Sequence, residues 1–60
     1  MIPEPKFDSG QTVKGRAYGE FAIVGRMWSD VMGEWVYGCF QMRGDERAPG
    51  ELRLVESTFE

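Results

Sequence analysis

The sequence predicts an all-β domain of four to five short antiparallel strands that form a small, partly open barrel. Three observations carry this expectation. Turn-forming clusters (DSGQ, AYGE, SDVMG and RGDERAPG) recur about every ten residues, the spacing of a small β-meander. The stretches between them are short and rich in aromatic and branched residues, which suit a pleated, half-buried backbone. No segment places apolar residues at i, i+3, i+4 and i+7 over three turns, so a helix is not expected.

Taken in order, MIPEPK carries Pro3 and Pro5 and reads as an extended tail, so residues 1–8 are expected to be flexible and residues 9–60 to form the single domain. QTVKGR alternates around Val13 and gives a first strand. FAIVGRMW gives a second, with Phe21 and Ile23 on one face and Gly25 where a bend changes the strand's direction. EWVYGCFQM gives a third, in which Gly38 stands in the same relation to its strand. ELRLV is a short fourth strand with Leu52 and Leu54 on one face, and ESTFE is a tight turn or a short last strand. The expected core is Val13, Phe21, Ile23, Val36, Phe40, Leu52 and Leu54, which leaves Trp28, Trp35, Tyr37 and Cys39 on opposite faces.

Size restricts what this chain can do. At 6.8 kDa it exposes about 9,900 Å² unfolded and about 4,000 Å² folded. Burying a mostly apolar difference contributes about 90 kcal/mol, and ordering 60 residues at about 1.5 kcal/mol each costs the same. Chains so balanced often recruit a disulfide, a metal or a partner. Cys39 is the single cysteine and there is no histidine, so no internal disulfide forms, and neither a metal nor a cofactor is expected. Cys39 lies between Gly38 and Phe40 without a basic neighbour and reads as a small buried apolar residue.

The net charge of −3 is unevenly placed: residues 1–30 carry four basic and four acidic side chains, residues 31–60 three and six. No apolar run reaches the ~18 residues of a membrane span, and MIPEPKF lacks the pattern of a signal peptide. A cytoplasmic protein without membrane contact is expected, and Met1 fits a complete small chain. Arg43-Gly44-Asp45 reads as a charged turn. The two glycines of GRAYGEF precede no helix, so they do not form a phosphate cradle.

F-x-x-G-x-x-V from Phe7 to Val13, Ile23-Val24-Gly25, Trp35-Val36-Tyr37 and Leu52-x-Leu54 together resemble the SH3-like small barrels, the group that includes KOW and Tudor domains. The layout is also similar to the small plasmid-encoded dihydrofolate reductases, through Ala22-Ile23-Val24-Gly25, Gly33-Glu34-Trp35-Val36 and Pro49-Gly50. That second likeness implies a tetramer around a central pore that binds folate and nicotinamide. The pore motif V-Q-I-Y of those enzymes is replaced here by Leu52-Arg53-Leu54-Val55.

Without histidine or paired carboxylates, the residues point away from catalysis. The aromatics are more informative, because Trp, Tyr, Met and Arg are enriched at protein interfaces. Arg26, Trp28, Trp35 and Tyr37 are therefore the expected partner-binding residues of a non-enzymatic protein-binding module, whose partner is a protein or another copy of the chain. A second reading is KOW-like nucleic-acid binding through a basic hairpin of Lys14, Arg16 and Tyr18 with Arg26 and Trp28. The pore-forming reductase is the third.

Overall fold

Two ten-residue strands joined by a tight turn dominate the fold, β2 (Glu20–Ser29) and β3 (Glu34–Arg43). They are seen in a computed structural model that describes residues 1–16 and 19–59. Ser29 pairs with Glu34 across the turn. Gly33 adopts φ +67° there, a conformation glycine reaches without steric cost, and its N–H donates to Ser29 O at 2.8 Å. The Ser29 hydroxyl accepts from Met32 N–H at 3.1 Å. The turn thus satisfies its own backbone and fixes the register of both strands.

β1 (Thr12–Lys14) adds to the free edge of β2, with Val13 opposite Phe21. The other edge of β3 is shared by two strands in succession. β4 (Glu46–Arg47) pairs with its last residues, and β5 (Leu52–Val55) pairs with Val36 to Cys39. The result is a five-stranded antiparallel sheet that is not closed into a barrel. A 3₁₀ turn, Glu56–Phe59, follows β5. The element types and order match the expectation, and the charged loop contains the small strand β4. The folded chain exposes 4313 Å², close to the value expected for its mass.

The expected core needs correcting on β3. Val13, Phe21 and Ile23 are buried as expected, with Leu54 packed beside them, but Tyr37 and Cys39 are fully buried too. Val36 and Phe40 are only half-buried, and Leu52 is 40% exposed. Both faces of EWVYGCFQM are apolar, so alternation alone does not choose between them. The choice is made by remote residues. Phe7 and Phe59 roof the core face, forming edge-on contacts with Tyr37 at 5.4 and 5.9 Å. Phe59 also meets Phe21 at 5.6 Å. Phe40 lies on the outer face opposite Ala22, where the Arg47 guanidinium covers its ring at 5.5 Å.

The register of β2 shifts between Ile23 and Gly25. A one-residue bulge of this kind reverses which face later side chains take. Before it Phe21 and Ile23 point into the core; after it Arg26 and Trp28 continue on that face, opposite Tyr37 and Trp35, while Met27 turns outward.

Residues 3–8, which composition assigns to a tail, run across the core face and are fastened at several points. Trp35 Nε1 donates to Pro3 O at 2.7 Å. Lys6 and Phe7 N–H groups donate to the Tyr37 hydroxyl at 3.1 and 3.4 Å. At the far end Asp8 O accepts from Gln11 N at 3.1 Å, and Gly10 N donates to Ile23 O at 2.7 Å, which turns the chain into β1.

Candidate functional site

The bulge after Ile23 assembles the candidate site, because it places Arg26 and Trp28 on the same face as Trp35 and Tyr37. The four residues form two cross-strand pairs, Trp28 with Trp35 and Arg26 with Tyr37. The indoles meet edge-to-face, with centroids 5.8 Å apart and planes at 72°, the geometry favoured by aromatic quadrupoles. Trp28 Nε1 donates to Asp30 Oδ1 at 2.8 Å, which fixes the outer ring on the turn.

These residues are not equally available to a partner. Tyr37 has no exposed surface, so it forms the floor of the site and does not reach the outside. Its hydroxyl accepts from the two strap N–H groups and donates to Glu56 Oε2 at 2.7 Å. The Arg26 guanidinium donates to Phe7 O at 3.0 Å and is paired with the Asp8 carboxylate. Trp28 and Trp35 are half-buried.

Sequence reasoning missed the strap residues Pro3, Lys6, Phe7 and Asp8, and it read Glu56 as part of an acidic rim rather than as the acceptor of the Tyr37 hydroxyl. One signal was present: Phe7 is a large apolar side chain in an otherwise polar, proline-bearing segment, and such a residue seeks cover. It also missed Val31 and Met32 at the end of the hairpin, 96 and 55% exposed, although it placed Met27, 60% exposed, on a candidate contact surface. On the outer face, Gly25 and Gly38 oppose each other and leave an open concavity of about 380 Å³ flanked by Met27, Val36, Glu51 and Arg53.

Two residues of the basic reading, Lys14 and Arg26, lie on opposite faces of the sheet. Val13 points into the core, so Lys14 faces outward, opposite Glu20. Arg26 is on the core face. Arg16 is exposed, and Tyr18 lies outside the described residues. Among the described residues no group of acids and Cys39 could hold a metal ion, and no helix is long and apolar enough to cross a membrane.

Burial raises both Tyr37 and Cys39 above their ordinary values of 10.0 and 9.0. For Tyr37 the bond to Glu56 adds to the effect, and for Cys39 the negative charge of Glu51 does. Both groups fold as neutral species. Their stabilisation is complete below the ordinary values and is lost as pH rises through the higher folded-state values. The melting temperature is therefore expected to fall above about pH 9 to 10, measured by circular dichroism between pH 7 and 11. A flat profile over that range would show that neither group is sequestered.

The fold and the site define a small all-β domain with an aromatic hairpin face and a strap laid across it. No family model matches the chain, and neither a curated protein nor a solved structure matches it.

Proposed function

We propose that the chain is a non-enzymatic protein-binding module on an SH3-like scaffold of the KOW and Tudor type, and that its partner docks on the end of the β2–β3 hairpin. One observation carries this reading: the turn that joins the strands of the Trp28–Trp35 pair leaves Val31 and Met32 more than half exposed, and Met27 is more than half exposed on the opposite face of the same hairpin end. Isolated apolar residues on a surface are ordinary, whereas several at one hairpin end mark a contact surface. Trp28 is the anchor, because its ring is half-buried and held at one angle by Trp35 and Asp30. Holding it there lowers the ordering cost of association. Trp35 supports it from behind.

The acidic second half of the chain, with Asp45, Glu46 and Glu51 exposed, steers the module toward a partner with a basic rim. The test is to capture partners from the native cell, identify one, and measure its affinity for wild-type and Trp28→Ala chains. An anchor of this type contributes about 2 kcal/mol or more, so the variant is expected to bind at least about 30-fold more weakly. Unchanged affinity in a folded Trp28→Ala chain would remove the hairpin from the binding surface.

A further inference from the structure

We infer that residues 3–8 occupy, in cis, a groove for an extended peptide carrying phenylalanine followed by an acidic residue, and that a partner segment of this chemistry binds by displacing them. The inference rests on the reading of the chain as a protein-binding module and names the partner chemistry of the neighbouring core-face groove.

The strap is held in the manner of a ligand. Its main-chain contacts with β2, β3 and the 3₁₀ turn use backbone groups that any extended chain would present: Pro3 O on Trp35 Nε1 at 2.7 Å, Lys6 N on Tyr37 Oη at 3.1 Å, and Phe7 O on the Arg26 guanidinium at 3.0 Å. Two longer contacts, Phe7 N to the same hydroxyl and Lys6 N to Glu56 Oε2, add to these at 3.4 Å each. None of them depends on the strap's covalent connection to β1.

Selectivity comes from two side chains. The Phe7 ring sits edge-on between Tyr37 and Phe59, at 5.4 and 5.6 Å, in a socket that a smaller residue would leave empty. The carboxylate of the next residue, Asp8, pairs with Arg26, whose side chain has no other carboxylate partner among the described residues. The prolines Pro3 and Pro5 restrict the segment to extended conformations and reduce the entropy lost on seating it. The groove thus reads Pro-x-x-x-Phe-Asp/Glu: a carbonyl for Trp35, an aromatic ring four residues later, then an acid for Arg26.

A tethered strap competes at an effective concentration in the millimolar range, so a free peptide binds the intact chain weakly and gains when the strap is loosened. Pro3→Gly/Pro5→Gly loosens it by widening the strap's unbound ensemble, and it keeps every backbone and side-chain group named above. The change in cis occupancy is expected to be about tenfold.

The experiment titrates the synthetic peptide IPEPKFD into the full-length chain and into its Pro3→Gly/Pro5→Gly variant, following the Trp35 indole N–H and the Arg26 resonances by NMR. The inference expects both signals to move, about tenfold tighter binding to the loosened chain, and loss of binding for peptides in which Phe is replaced by Ala or Asp by Asn. Binding that is equal for the two chains, that persists in the Phe→Ala peptide, or that is absent from the loosened chain overturns it. Failure is distinguishable from failure of the binding-module reading. A partner that still needs Trp28 while the groove ignores the peptide defeats only the strap inference. A partner indifferent to Trp28 defeats the hairpin reading and leaves the peptide result standing.

Discussion

Phe21→Ala is expected to abolish cooperative folding at 25 °C. Phe21 is 2% exposed, lies opposite Val13 across β1 and β2, and meets Phe59 edge-on at 5.6 Å. The chain also passes unusually close to it at Gly15, where a Cβ would fall 2.7 Å from the ring. Only glycine lets the backbone approach so near, so the ring is gripped from three sides and the cavity left by alanine has little freedom to collapse. Phe→Ala substitutions in such sites cost about 3–5 kcal/mol, against a total of about 3–5 kcal/mol for a domain of this size.

Leu52→Ala is the informative comparison. Simple alternation puts Leu52 in the core, whereas the fold leaves it 40% exposed, and its truncation is expected to cost about 1 kcal/mol or less. Thermal melts of the two variants beside the wild type separate the alternatives. A folded Phe21→Ala chain together with an unfolded Leu52→Ala chain would reverse the core assignment.

What the sequence could and could not reveal divides along the range of the interactions. Strands and turns were legible because their determinants are local. Gly33 ends the hairpin turn, and the branched and aromatic runs flank it. The bend at Gly25 was legible for the same reason, and the register shift occurs beside it.

The face of β3 that enters the core was not legible. Trp35, Tyr37 and Cys39 compete with Val36, Phe40 and Met42 on nearly equal terms, and the roof that settles the matter comes from Phe7 and Phe59 at the two ends of the chain. The strap was hidden for a related reason. Prolines and charge make residues 1–8 resemble a tail, and its fastening depends on Trp35, Tyr37 and Arg26, some 20 to 30 residues away. Of the four expected binding residues, Trp28 is half-buried against Trp35 and bonded to Asp30; Arg26 and Trp35 hold the strap, and Tyr37 lies beneath it.

Tyr37→Phe is expected to release the strap while the sheet stays folded. The hydroxyl is the common point of a network: it accepts from Lys6 and Phe7 N–H and donates to Glu56. Phenylalanine keeps the ring, and with it the contacts to Phe7 and Phe59, so little packing is lost. What changes is that the strap N–H groups lose their acceptor and the Glu56 carboxylate loses its neutral donor. Lys6 N can still reach Glu56 at 3.4 Å, a long contact that compensates poorly. Each polar group left without a partner costs about 1–3 kcal/mol when sheltered from water. With solvent able to reach the strap, the expected net loss is about 2 kcal/mol. At roughly 4–8 °C per kcal/mol for a domain of this size, the melting temperature should fall by about 8–16 °C.

The same variant should speed amide exchange at residues 3–8 far more than at residues 21–23, because the strap opens without the sheet. It should also bind the IPEPKFD peptide no better than wild type, because a groove without its central hydroxyl loses cis and trans occupants alike. A Tyr37→Phe chain with wild-type exchange across the strap would show that aromatic packing alone holds residues 3–8 in place.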